Sequence, residues 1–320
     1  MSDIRRRTAH VNGVQLDLLE SGPVDGPVVI LSHGFPESSW SWRHQLPVLG
    51  DAGWHAIAPD QRGYGGSSRP TEVSAYGTDS LSADLIGLLA ETGQEQGVFV
   101  GHDWGALIVW DLVRLHPERA RGVVGVSVPF IDWPAPPLEI FRQRFGDRFF
   151  YIVYFQDVGP AERELEADVR RTMHNVLWSA SAAGADREPP DLPAAGTGFL
   201  DVMGEWPDGL PAWLTADDLD RYVKAFETSG FFGPVSYYRN LDADWDRVKR
   251  VAPSTLTMPS FFIGGLLDGV IARDRSGVDR MRQQLPGYRG DVLLPGVGHW
   301  TQQEAPAAFN QALLGFLDGL

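Results

Sequence analysis

The sequence predicts a mostly parallel, doubly wound α/β sheet with a helical insertion. Three observations carry this reading. Short apolar runs bounded by turns alternate with amphipathic segments up to Pro129, the alternation then stops, and it resumes near Ser260. Strands that alternate with helices pair in parallel and are covered on both faces, so their sequences are continuously apolar. The expected division is residues 1–129 and 251–320 for the α/β core and 130–250 for an inserted helical lid.

The first elements are an exception to the parallel rule. Thr8 to Val11 and Val14 to Leu19, joined at Asn12 and Gly13, predict a hairpin, because Asn-Gly suits a two-residue turn. Pro27 to Ser32 is a buried strand that runs into His33, Gly34, Phe35 and Pro36. A helix is predicted from Ser39 to Leu49 and a strand from His55 to Ala58. The stretch from Pro59 to Pro70 is too glycine-rich for anything but a tight connection. Ser80 is the expected cap of a helix reaching Glu91. Gly97 to Val100 reads as the central strand, Trp104 to Leu115 as the helix after it, and Val123 to Val128 as the next strand.

From Phe130 to Arg250 helical periodicity continues without strands. Ser181 to Pro211, rich in Gly, Ala and Pro, is expected to be a long loop. Thr215 and Asp218 form a capping box for a helix that stops near Gly230. The α/β pattern returns with a strand at Ser260 to Ile263, a helix at Val278 to Leu285, a strand at Asp291 to Leu294 and a last helix from Gln303 to Leu317.

Composition excludes several functions. The 320 residues carry a formal net charge of −15, a poor match for nucleic acid or an anionic membrane surface. There is no cysteine, which removes disulfides, thiolate catalysis and cysteine-bound zinc. No apolar leader opens the chain and no run of 18 apolar residues occurs, so the expected location is the cytoplasm. Neither a metal nor a cofactor is expected.

Chemistry concentrates at Gly101, His102, Asp103, Trp104 and Gly105. Between a strand and a helix, these residues have the layout of a nucleophile elbow, whose flanking glycines let the backbone turn sharply and expose the central side chain. Here that side chain is a carboxylate, kept ionised by the helix N-terminus. Asp is also a favoured helix cap, so the string alone does not decide. Two further groups do. Asp268 follows the resumed strand and His299 follows the last one, giving the order nucleophile, acid, histidine at C-terminal strand ends. Asp132 is a rival for the acid, and His102 is expected to be structural.

These segments resemble an epoxide hydrolase of the α/β-hydrolase fold. His33-Gly34-Phe35-Pro36-Glu37-Ser38 is similar to that family's oxyanion loop, Gly101 to Gly105 to its nucleophile motif, and Gly298-His299-Trp300-Thr301-Gln302 to its histidine segment. Tyr151-Ile152-Val153-Tyr154-Phe155-Gln156 and Tyr237-Tyr238-Arg239-Asn240 resemble two lid segments that each supply a tyrosine. The resemblance implies Tyr151 and Tyr238 as that pair, with Tyr154 the alternative to Tyr151 and a substrate contact. The backbone NH groups of Phe35 and Trp104 would form an oxyanion hole, and both side chains would touch substrate. The likeness spans Thr8 to Gly319 and leaves no room for the extra N-terminal phosphatase domain or membrane anchor of some members.

A carboxylate can attack a saturated carbon if a leaving group is present, and a strained epoxide provides one. Its oxygen departs as an alkoxide that two phenols can protonate. The ester left on Asp103 needs water activated by His299, with Asp268 orienting the ring. The expected partners are therefore a small apolar epoxide and water, and the expected assembly a monomer or homodimer. The main alternative is a haloalkane dehalogenase, whose halide needs indole or amide NH donors; Phe35 and the lid tyrosines argue against it. Asp at the elbow disfavours an esterase. A silent binder of hydrophobic ligands would keep the pocket but lose the triad, whose every position is filled here.

Overall fold

The computed structural model describes residues 2–187, 190–252, 255–273 and 276–320. Eight strands form one sheet: β1 (Arg5–Val11), β2 (Val14–Ser21), β3 (Val28–Ser32), β4 (His55–Pro59), β5 (Gly97–His102), β6 (Ala120–Val126), β7 (Ser260–Gly265) and β8 (Tyr288–Leu294). Their order is β1-β2-β4-β3-β5-β6-β7-β8. β2 runs antiparallel to both its neighbours, β1 and β4, and every other pairing is parallel. The register aligns Ser32 with Gly101, His102 with Val126, Val126 with Ile263, and Gly265 with Leu294. The loops that leave β3, β5, β7 and β8 therefore emerge side by side at one edge of the sheet, where open α/β sheets place their sites.

Fifteen α-helices lie among the described residues: α1 (Leu46–Asp51), α2 (Thr78–Glu91), α3 (Trp104–Leu115), α4 (Pro137–Phe145), α5 (Tyr151–Tyr154), α6 (Pro160–Ala167), α7 (Val169–Ser179), α8 (Phe199–Met203), α9 (Ala216–Ser229), α10 (Phe232–Arg239), α11 (Leu241–Val251), α12 (Gly269–Arg273), α13 (Ser276–Gln284), α14 (Thr301–Glu304) and α15 (Pro306–Leu317). Alternate strand residues feed two cores. Val28, Ile30 and Phe99 face α2, α3 and the insertion, whereas Val29, Leu31, Val98 and Val100 face α1 and α15 through Leu46, Leu49, Phe309 and Leu313. The three β5 side chains from Val98 to Val100 and their β3 partners Val29, Ile30 and Leu31 are fully buried, at roughly 1.5–3 kcal/mol for each large apolar residue.

Several elements differ from the sequence expectation for local reasons. The helix expected over Ser39 to Leu49 is a 3₁₀ turn at Ser39–Trp42 followed by α1, because Pro47 is tolerated only in a first turn. Pro306 likewise splits the last helix into α14 and α15. Ser80 does not cap α2. The cap is Gly77, and the Asp244 carboxylate on α11 accepts from the Thr78 N–H at 2.8 Å in place of a local side chain. Within Ser181 to Pro211, α8 and a 3₁₀ turn at Ala182–Gly184 interrupt the expected loop, and residues 188 and 189 lie outside the described residues. The Thr215 capping box is present as expected, with Thr215 Oγ1 accepting from Asp218 N at 3.1 Å.

Between β6 and β7 the described residues hold eight α-helices and a single isolated bridge, Arg148 with Pro193. This helical layer meets the sheet edge at the glycine-rich loop after β4. Gly63 has φ +88°, and a Cβ there would lie 2.8 Å from the Tyr76 ring and 2.9 Å from Gly233 Cα on α10. Close backbone approach thus seats α10 on the core, and the Tyr237 hydroxyl donates to the Arg62 carbonyl at 2.9 Å beside it. Arg62 is itself held by Asp84 through two 2.6 Å bonds. Gly63→Ala is expected to lose about 2 kcal/mol or more of stability in urea unfolding, since both the positive φ and the contact with Gly233 are violated. A loss below about 0.5 kcal/mol would mean that this approach is not needed.

Candidate active site

Asp103 sits between β5 and α3 with φ +51° and ψ −116°, a conformation that L-residues rarely adopt. Two glycines make it accessible: a Cβ on Gly101 would strike the Gly105 carbonyl, and one on Gly105 would strike the Ser32 carbonyl. Gly34, on the loop after β3, leaves space for the Asp103 side chain itself. The carboxylate is thereby lifted above the sheet edge. Its Oδ1 accepts from the Phe35 backbone N–H at 2.8 Å, and its Oδ2 lies 3.5 Å from His299 Nε2.

The other ring nitrogen of His299, Nδ1, is 2.9 Å from Asp268 Oδ2. Asp268 is 1% exposed, and its second oxygen accepts from the Val270 N–H at 2.8 Å. Asp132, the rival acid, pairs instead with Arg114 and Lys249. Burial works to lower the His299 pKa, but the charge of Asp268, the hydrogen bonds to Asp103 and Asp268 and the charge of Asp103 outweigh it and raise it well above 6.5. Both nitrogens face carboxylate acceptors, so the ring donates from both. Burial likewise works to raise the Asp103 pKa, but His299, His102 and the Phe35 N–H bring it below the ordinary carboxylate value.

A second buried pair lies beneath the first. His102 Nδ1 is 2.6 Å from Glu37 Oε2, and His102 Nε2 is 2.8 Å from the His299 carbonyl oxygen. Glu37 also accepts from the Gly34 N–H at 2.8 Å and from the Gln302 and Gln303 side-chain amides at 3.0 Å each. His102 thus bridges the Glu37 carboxyl and the His299 backbone, and Glu37 in turn gathers three N–H donors besides. Although burial opposes it, His102, the Gly34 N–H and His33 hold the Glu37 pKa below its usual value. His102 is structural, as expected, but Glu37, Gln302 and Gln303 are supporting residues that the motifs contained and sequence reasoning did not single out.

Aromatic rings cover the opposite side of Asp103. Tyr238 on α10 lies 4.8 Å from the Trp104 ring, 5.6 Å from Phe35 and 5.8 Å from Tyr151 on α5, centroid to centroid. Phe155 and Phe199 close the group, at 5.0 Å from Tyr238 and 5.7 Å from Tyr151 respectively. Burial first, then Tyr151 and the negative Asp103, hold the Tyr238 phenol protonated well above its usual pKa of 10, against the hydrogen bond from Trp104. Tyr154, the alternative to Tyr151, is committed elsewhere. Its hydroxyl donates to Glu164 at 2.8 Å, and the same carboxylate accepts from the Phe199 and Leu200 N–H groups that open α8. This bond directs the polar end of Tyr154 toward α6.

Among the described residues no group of three or more His, Asp or Glu stands where it could hold a metal ion, and no helix is long and apolar enough to cross a membrane.

The family profile described as the α/β hydrolase fold matches residues 27–306. Epoxide hydrolase A of Mycobacterium tuberculosis is 46% identical over 316 residues, covering 98% of this chain and 97% of that protein. Epoxide hydrolase B of the same organism is 38% identical over 358 residues, covering 100% and 99%. Among solved structures, epoxide hydrolase A of Mycobacterium thermoresistibile superposes with a TM-score of 0.93 at 45% identity over 99% of both chains. An epoxide hydrolase from an endophytic Streptomyces gives a TM-score of 0.91 at 38% identity, covering 99% of this chain and 96% of that one.

The buried Glu37 and His102 pair has a measurable signature. Glu37→Gln keeps the size of the side chain but replaces one buried acceptor oxygen with an NH₂ group among N–H donors, for an expected loss of about 3 kcal/mol in urea unfolding. Combining it with His102→Gln should cost clearly less than the sum of the two single losses. Additive losses would show that the two side chains do not support each other.

Proposed function

This chain belongs to the epoxide hydrolases of the α/β-hydrolase fold, and we propose that it converts epoxides to vicinal diols through an alkyl ester on Asp103. The observation that carries the reading is the continuous contact from Asp268 through His299 to an Asp103 whose other oxygen rests on the Phe35 N–H. In the first step Asp103 attacks an epoxide carbon and the ring carbon–oxygen bond breaks. The departing oxygen takes a proton supplied through Tyr151 and Tyr238, whose rings neighbour each other and, through Trp104 and Phe35, the nucleophile.

In the second step His299 removes a proton from water, which adds to the Asp103 carboxyl carbon. The resulting oxyanion is held by the N–H of Phe35 and that of Trp104, the first residue of α3, whose N–H lacks an acceptor within the helix. The tetrahedral species then expels the diol, and Asp103 regains its carboxylate. Asp268 keeps the His299 ring oriented and balances its charge. In this reading residues 130–250 form the lid over the α/β core, and Trp104 and Phe35 contact substrate. The rings of Phe35, Phe155, Phe199 and the two tyrosines favour an apolar epoxide with aryl or alkyl substituents. The Trp104 indole is engaged with Tyr238, which leaves it poorly suited to receive a halide.

Isotope labelling tests the nucleophile directly. With enzyme in excess over styrene oxide in oxygen-labelled water, the first-turnover diol is expected to carry no solvent oxygen, and the label should remain in Asp103. Solvent label in that diol would mean that water opens the ring itself.

His299→Gln should still form the ester and fail to hydrolyse it, so that intact-protein mass spectrometry detects a lasting adduct. An unmodified variant beside an active wild type would reassign His299.

Tyr151→Phe or Tyr238→Phe alone should slow ring opening by about 10- to 100-fold and the double change by far more, at unchanged fold. Full activity in the double variant would remove the tyrosines from the mechanism.

A further inference from the structure

The lid meets the α/β core at a second place, remote from the two tyrosines. At the N-terminus of α9, Asp218 Oδ1 accepts from the Trp40 indole at 2.7 Å and pairs with Arg43 Nε at 3.0 Å. Arg43 continues inward, donating from Nη1 to Gln303 Oε1 at 2.6 Å. Tyr222, one helical turn after Asp218, donates its hydroxyl to the same oxygen at 2.9 Å. Since a guanidinium can only donate, the Gln303 atom facing it is the oxygen, and the amide NH₂ must face Glu37 Oε1 at 3.0 Å. The whole chain of contacts is sealed from solvent: Asp218 and Arg43 are 7% and 8% exposed, Gln303 1%, and Tyr222 and Glu37 0%.

Beyond Glu37 the contacts divide. One branch goes through His102 to the His299 carbonyl, and the other through the Gly34 N–H to the residue before Phe35. The ends of the two branches are the base and the oxyanion donor of the ester-hydrolysis step. Neither end is the ring-opening phenol pair.

We propose that Asp218 and Tyr222 on the lid, acting through Gln303 and Glu37, are positioning residues for ester hydrolysis, so that a seated lid is what aligns His299 and the Phe35 N–H. The inference rests on the two-step reading above. Gln303 is the pivot, four residues after His299 and on the short α14. Its amide cannot satisfy Arg43, Tyr222 and Glu37 together unless α9 is docked against the core. Displacement of catalytic groups by less than an ångström is costly in rate, and these contacts are rigid because each member is buried and bonded at both ends.

Single-turnover kinetics with styrene oxide, followed by rapid-quench mass spectrometry of the ester, separates the steps. Tyr222→Phe removes one oxygen atom and Asp218→Asn one charge, so each preserves side-chain shape. Both variants are expected to form the ester within about 3-fold of the wild-type rate and to hydrolyse it about 10-fold more slowly, so that ester accumulates and kcat and KM fall together. Glu166→Gln provides the comparison for general loosening of the lid, because Glu166 holds the Phe231 N–H at 2.8 Å elsewhere in the insertion. It should leave the ratio of the two rates unchanged. Wild-type hydrolysis rates in Tyr222→Phe and Asp218→Asn, or equal slowing of both steps, would overturn the proposal. Absence of any ester in the wild type would instead overturn the two-step reading on which it rests.

Discussion

Four hydrogen bonds converge on the carboxylate of Glu37, and they come from three separate segments of the chain: its own loop at Gly34, the end of β5 at His102, and α14 at Gln302 and Gln303. The sheet fixes where the loops that follow β3, β5 and β8 begin, and this one carboxylate ties the three to one another. A charge removed from water has no alternative but to keep its partners, and so it locks the three loops in one arrangement. The geometry at Asp103 depends on this lock. Phe35 can donate to Asp103 only while Gly34 is held, and His299 stays opposite Asp103 while its carbonyl is held by His102.

The helical layer is joined to this centre by contacts of different kinds. At Gly63 and Gly233 the join is backbone against backbone, which fixes distance and tolerates no side chain. Around Gln303 it is polar and buried, which fixes orientation. The His299 loop adds a third: its N–H donates to the Ala180 carbonyl at 2.9 Å just past α7, and the Trp300 indole donates to the Leu177 carbonyl at 2.9 Å. The patch around Tyr151, Phe155 and Phe199 is built chiefly from ring contacts, with the Arg239 guanidinium donating to the Phe155 carbonyl at 2.9 Å.

The sheet and the elbow were legible because their signals are local. Val98, Phe99 and Val100 are apolar on both faces, as a central parallel strand must be, and Gly101 and Gly105 bracket a residue whose backbone is strained. Asp268 and His299 were legible from their order at strand ends. What could not be read depends on partners far along the chain. Glu37 meets His102 at a separation of 65 residues and Gln303 at 266, and no periodicity links them. Ser80 looked like a cap because nothing in its neighbourhood reveals that Asp244 supplies the acceptor. The commitment of Tyr154 to Glu164 is hidden for another reason: the two lie on successive helices, α5 and α6, and spacing within the first does not say which tyrosine turns inward.

The position of His299 between two carboxylates also sets an internal proton economy. In the free enzyme the ring is flanked by Asp268 and by Asp103, whose charges and hydrogen bonds together hold a proton on it. An ester at Asp103 carries no charge, so in the proposed cycle its formation withdraws the Asp103 part of that support at the moment the ring oxygen needs a proton. The imidazole that resisted deprotonation then becomes a free base as its task of activating water begins. Hydrolysis restores the carboxylate and returns the ring to its protonated state. The proposed cycle thus runs a full turnover on one stored proton, with solvent supplying water and no net acid or base.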